Sequence, residues 1–393
     1  MFAVFSPSRK LTARLVGALA LFWLAACEPV SVSMPAGGEG RAIDPDRPVP
    51  VALLVPRSAD GMANVARDLE NAARLAAADL GGAAIDLRVY DTAGDAQTAA
   101  TAAQRAADEG AGVILGPLFA EAANAAAVQV TDDGLNVLSF SNNSSIAGGN
   151  LFVLGPTFEN TARRLTGFAA RRGKRSLVIV HPDTVEGQFG RNAIRSEARA
   201  DGLSVAGVIP FPFSEQGAIS AAGRVGETVA QTGADMVFLT STSAGALPLL
   251  AQLLREQGVD PAVTQYVGLA RWDVPAQTLE LPGLQGGWFA RPDESMAASF
   301  RARYGASYGA PPHPLAGLAY DGIAAIGALA AQGDRNALTR GALTQSAGFQ
   351  GTGGAFRLLP DGTNQRALAV ATVRAGQVVI IDPAPRSFGG AGL

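Results

Sequence analysis

Short apolar runs closed by Gly or Pro alternate with helical stripes from Val51 onward, and the alternation is played twice. Val51-Ala-Leu-Leu-Val55 is continuously apolar and ends at Pro56, the pattern of a strand covered on both faces. Val65, Leu69, Ala72, Ala76 and Leu80 follow at spacings of three and four, one apolar helix stripe stopped by Gly81-Gly82. A strand over 85–91, a helix over 95–108, a strand over 113–115, a helix over 120–130 and a strand at 136–138 continue the series. The last strand empties into Ser139-Phe140-Ser141-Asn142-Asn143-Ser144-Ser145. Parallel neighbours joined by a helix cross over right-handedly, so both strand tips reach one sheet edge, where ligands of open α/β sheets bind.

After a strand at Leu151–Leu154, Gly155-Pro156 breaks the chain. Thr157 is placed to cap the next helix, whose buried face reads Phe158, Ala162, Leu165 and Ala169. The pattern then restarts: strand 176–180, a loop from His181 to Gly190, helix 191–200, strand 203–209, helix 217–232, strand 236–239, helix 246–256 and strand 265–267. Helices near 293–304, 315–331 and 335–344, then strands at 354–358, 366–373 and 378–381, are too uneven for a third α/β unit. The expected fold is α/β, with two doubly wound parallel-sheet lobes joined by three crossovers. The expected division is lobe 1 over 49–156 plus 288–344, lobe 2 over 157–287 plus 345–384, and a tail over 385–393.

Residues 1–27 carry Arg9, Lys10 and Arg14 and then a 12-residue apolar core, Leu15–Ala26. That core is shorter than the roughly 20 residues a spanning helix needs, so it reads as a signal peptide. Leu24-Ala25-Ala26-Cys27 looks like the lipobox of bacterial lipoproteins, which implies cleavage before Cys27, lipid on that residue and a membrane attachment, inner or outer. Residues 28–48, rich in Pro, Gly and Ser, read as a flexible tether. Losing the three leader cations takes the formal charge from −3 to −6. That balance, with no basic stripe, argues against nucleic acid as a partner. Cys27 is the sole cysteine, and His181 and His313 are too few and too far apart for a metal centre. Phosphate-loop and zinc-protease motifs do not occur. A non-enzymatic protein without cofactor is expected.

Val51-Ala-Leu-Leu-Val-Pro56, Val89-Tyr-Asp-Thr92, Ile114-Leu-Gly-Pro-Leu118, Asn136-Val-Leu-Ser139 and Gly317-Leu-Ala-Tyr-Asp-Gly322, in that order, resemble the type 1 periplasmic binding proteins. The Leu/Ile/Val-binding group and its offshoot, the penicillin-binding-protein activator lipoproteins, are the most similar branches. The resemblance spans about residues 49–383 and implies a cleft between two lobes, with crossovers near 155–157, 284–290 and 345–353. It implies one of two partnerships: a small solute, amino acid or amide-like, taken up with an ABC permease or sensed, or a peptidoglycan synthase that the protein activates. The amino-acid binders hold their ligand with two loops of the first lobe, which fall here at Phe119-Ala120 and Ser141-Asn142-Asn143. Ala120 stands where a Ser hydroxyl is expected, and Asn143 offers an amide in place of a hydroxyl. The second lobe would contribute Glu186, Gln188, Thr240 and Ser241.

Each of these residues has an ordinary alternative. The Ser/Asn loop is either a set of cleft-facing donors and acceptors or a solvated turn. Phe119 either stacks on a ligand or fills the lobe interface. Glu186-Gly-Gln188-Phe189 is either cleft lining or exposed loop, and Arg271-Trp272-Asp273 either a carboxylate or sugar site or a surface ion pair. Tyr320 and Asp321, inside an apolar helix, read as structural.

Overall fold

The computed structural model describes residues 39–80 and 84–388. The expected leader, its Cys27 and the first part of the tether lie outside the described residues. The rest of that tether is a correction. Ile43 is buried in the core and its amide donates to Arg335 O, while Arg41 donates to the carbonyls of Ala107 and Ala111. The folded body therefore begins by Glu39.

In the first lobe, β1 (Val49–Val55), α1 (Ala63–Asp79), β2 (Ile85–Asp91), α2 (Ala96–Asp108), β3 (Val113–Leu115), α3 (Ala120–Gln129), β4 (Val137–Ser139) and β5 (Leu151–Val153) follow the expected alternation. The five strands form one parallel sheet in the order β2-β1-β3-β4-β5. Along β1 the side chains divide by the period of two. Val51, Leu53 and Val55 enter the core on one face, and Ala52 and Leu54 enter the core on the other.

In the second lobe the series is α4 (Phe158–Arg171), β6 (Ser176–Pro182), α5 (Val185–Ala200), β7 (Ser204–Phe211), α6 (Glu215–Thr232), β8 (Met236–Leu239), α7 (Leu247–Glu256), β9 (Gln265–Gly268) and β10 (Trp288–Arg291). Val178 and Val180 point to one core, and Leu177 and Ile179 to the other. The chain then returns to the first lobe through α8 (Glu294–Tyr308), α9 (Ala316–Ala330), α10 (Arg340–Leu343), β11 (Phe349–Gly351), β12 (Gly354–Leu358) and β13 (Asn364–Arg366). It ends as β14 (Ala369–Arg374) and β15 (Gln377–Asp382). β14 adds antiparallel to β10 and β15 antiparallel to β14, giving the seven-stranded order β15-β14-β10-β9-β8-β6-β7.

Two lobe boundaries move. Trp288–Arg291 pairs with β9 and β14 and belongs to lobe 2, not lobe 1. Phe349, Phe356 and Leu358 pack into the core of lobe 1, so 345–366 belongs there and not to lobe 2. The chain therefore passes between lobes at 154–157, 292–293 and 367–368. Part of the expected tail is also packed, since Phe388 is buried against Ala355 and Ala367.

A buried polar network holds the lobe junction. Asn364 Nδ2 donates to Val153 O and Gly155 O, both at 2.8 Å, and Asn160 Nδ2 donates to Asn364 Oδ1 at 2.8 Å. Arg366 donates to Leu154 O at 2.6 Å and pairs with Asp321 at 3.0 Å, and Asp321 also accepts the Thr352 amide at 2.6 Å. Asp321 is 1% exposed, so its structural reading holds. Every partner that this buried carboxylate needs is supplied by the linking segments and the β11–β13 sheet.

Candidate functional site

The tips of β6, β8 and β9 and the first turns of α4, α5 and α7 face the loop after β4 across a cleft of about 510 Å³. Asn142, Asn143 and Ser144 come from the first lobe; Glu186, Thr240, Ser241 and Thr242 come from the second. Asn143 Oδ1 accepts the Ser145 amide at 3.0 Å and caps a short 3₁₀ turn. That bond fixes the loop, so the Asx-turn reading and the cleft-facing reading are both satisfied by one residue. Ser144 Oγ donates to Glu159 Oε1 at 2.9 Å, a direct bond from one lobe to the other.

Four of the anticipated residues lie elsewhere. Phe119 is half-exposed at the start of α3, and its ring edge lies against Gly94. Ala120 is in the first turn of α3, and neither residue lines the cavity. Ser141 is buried, with its hydroxyl accepting the Asn143 amide at 3.1 Å, so it shapes the turn. Its carbonyl lies so close to Gly155 that a Cβ there would sit 2.4 Å from it. Gln188 is exposed and donates to Asp183 at 3.1 Å. Arg271 and Asp273 form a bidentate pair at 2.7 and 2.9 Å, and Trp272 is fully buried beside Phe289. Burial would raise the Asp273 carboxyl, but Arg271 and Arg291 outweigh it and hold it below the usual carboxylate range.

The loop expected from His181 to Gly190 is instead the start of a helix. Thr184 caps α5 by accepting the Gly187 amide at 3.1 Å. A Cβ on Gly187 would lie 2.1 Å from Pro182 O. Glycine is there so that the helix can meet the strand end, not to break the helix. Glu186 and Phe189 are thereby carried on the first turn and a half of a helix.

Sequence reasoning missed Phe158, Glu159 and Phe213. Phe158 was expected on the buried face of its helix; it is 36% exposed and lines the cleft, as does Phe213 at 67%. The available signal was position: both stand at the junction of a strand end and a helix start.

Two polar atoms here are buried without a hydrogen-bond partner among the described residues: Ser241 Oγ, on the cleft wall, and His181 Nε2, one residue before the lining Pro182. Ser241 is 5% exposed. Burial depresses the His181 pKa below its ordinary 6.5, and the charge of Arg191 adds to the effect.

With this geometry, the comparisons decide the family. A family model described as periplasmic binding protein matches residues 48–377. The chain belongs to the periplasmic binding protein family. No curated relative matches the sequence. Solved structures share the binding protein's fold at low identity. A Rhodospirillum rubrum protein assigned to branched-chain amino acid ABC transport gives a TM-score of 0.71 at 20% identity, covering 85% of this chain and 100% of that one. An ABC transporter substrate-binding protein from Desulfitobacterium hafniense, in complex with Leu, gives 0.59 at 18%, covering 85% and 100%. A solute-binding protein of R. palustris, in complex with 4-hydroxybenzoate, gives 0.56 at 16%, covering 88% and 99%. Among the described residues, no helix of the binding protein is long and apolar enough to cross a membrane.

Proposed function

We propose that this periplasmic binding protein captures a small solute, amino acid or amide-like, between its lobes and presents it to an ABC permease, while lipid on Cys27 keeps it at the membrane. The observation that carries the reading is Ser241: a buried hydroxyl without a partner, on the wall of a cavity that both lobes build. An unmade hydrogen bond at such a position costs about 1–3 kcal/mol, which a ligand group recovers. Asn143, Thr240 and Thr242 add neutral donors and acceptors, the small polar set that a solute site needs. Three linking segments suit hinge closure over the ligand.

The test is a thermal-shift screen of amino acids, amides and other small solutes on the full chain, with small-angle scattering on the hits. A ligand at a hundredfold its Kd adds about 2.7 kcal/mol, and closure reduces the radius of gyration. A screen without a hit or compaction defeats the reading.

One observation favours the alternative, activation of a peptidoglycan synthase. Ala120 brings no hydroxyl and Phe119 turns to Gly94, so the first of the two lobe-1 loops adds nothing to the cavity. That reading requires a purified synthase ectodomain to co-elute with the full chain in the absence of solute.

A further inference from the structure

We infer that the solute is an organic cation, an ammonium joined to an apolar body of about phenyl size. The inference rests on the solute-capture reading and gives it a ligand class other than the amino acid or amide. The charged residues among the described lining are Glu159 and Glu186, with no Lys, Arg or His beside them. Of the guanidiniums nearest in sequence, Arg271 is paired with the Asp273 carboxylate, while Arg191 lies outside the lining and donates to the neutral Asn192 amide. Each Glu stands in the first turn of its helix, whose positive end offsets only about half a charge. The cleft thus keeps a negative surplus. An incoming carboxylate meets two like charges and no cation, which weighs against the anionic hydroxybenzoate type of ligand.

The apolar side of the cleft points the same way. Phe158, Phe189 and Phe213 line it from the second lobe and stay 36%, 44% and 67% exposed. Three partly bare rings round one opening are an apolar surface awaiting cover. Their faces also carry the negative quadrupole that attracts ammonium groups. Carboxylates and phenyl faces in one cavity are complementary to a cation with a hydrophobic body, and to neither half of that molecule alone.

Calorimetric titration of the full chain with four probes tests this: phenethylammonium, 3-phenylpropionate, 2-phenylethanol and L-phenylalanine. Phenethylammonium is expected to bind at least about tenfold more tightly than 3-phenylpropionate, and to weaken as salt rises. Glu186→Gln, at an exposed position, should weaken the cation about tenfold and leave 2-phenylethanol unchanged. Phe213→Ala should weaken both. Equal or tighter binding of 3-phenylpropionate or 2-phenylethanol, or a cation affinity indifferent to Glu186→Gln, overturns the cation assignment while leaving solute capture standing. Failure of all four probes overturns the cation assignment; capture itself falls only if the wider solute screen is also empty.

Discussion

The lobe junction and the cleft lie a few residues apart in sequence and treat their polar groups in opposite ways. At the junction, Asp321, Arg366, Asn160 and Asn364 satisfy one another and the carbonyls of Val153, Leu154 and Gly155. In the cleft wall Ser241 keeps a buried atom without a partner, as does His181 just behind it, and three phenyl rings stay partly bare. One region has spent its interactions on holding the lobes together; the other keeps them in reserve. The difference separates a part whose damage should unfold the protein from a part whose alteration should change only what it holds.

The strongest way to break that contrast is Asp321→Ala. It leaves the Arg366 charge uncompensated in a buried site, and urea unfolding should register a loss of about 3–5 kcal/mol. A loss under 1 kcal/mol would remove the junction's special status. Gly155→Ala comes next. Its Cβ would strike the Ser141 carbonyl, and overpacking of this kind costs about 1–3 kcal/mol in the same measurement. A smaller effect belongs to His181. Its folded pKa lies below 6.5, so the unfolded chain takes up a proton first as pH falls. Stability from this group is present above pH 6.5 and declines below it towards the folded pKa. His181→Gln should flatten the stability–pH curve in that window, and an unaltered slope there would show that the ring titrates normally. Ser241→Ala is the one change not expected to destabilise the empty protein: it removes a buried hydroxyl without a partner and should leave stability unchanged or raised by up to about 1–3 kcal/mol. Its consequence should appear as weakened solute binding in the thermal-shift screen. A large fall in stability would show that the hydroxyl has a structural partner after all.

The same contrast explains how far the sequence could be read. Val51–Val55 and Val178–Val180 declare strands because both sheet faces are buried and every residue is apolar. The place of Asn143, Glu186, Thr240 and Ser241 on the cavity wall was legible because parallel strands deliver their tips to one edge. Phe119 was misplaced because sequence locates a loop but not the direction of a side chain within it. The start of α5 was missed because Gly187 reads as a helix breaker, when only the Pro182 carbonyl beside it explains the glycine. The return of β11–β13 to the first lobe was hidden because three short strands carry no mark of the core that receives them.

That late return bears on how the protein is made. Val51, Leu53 and Leu69 share their core with Ile323, Ile326 and Phe356, so the first lobe lacks a whole wall until the ribosome is near the end of the message. Contacts so far apart along the chain form slowly. A polypeptide that finishes its first half last stays open for most of its synthesis, a condition that suits threading through a membrane before folding.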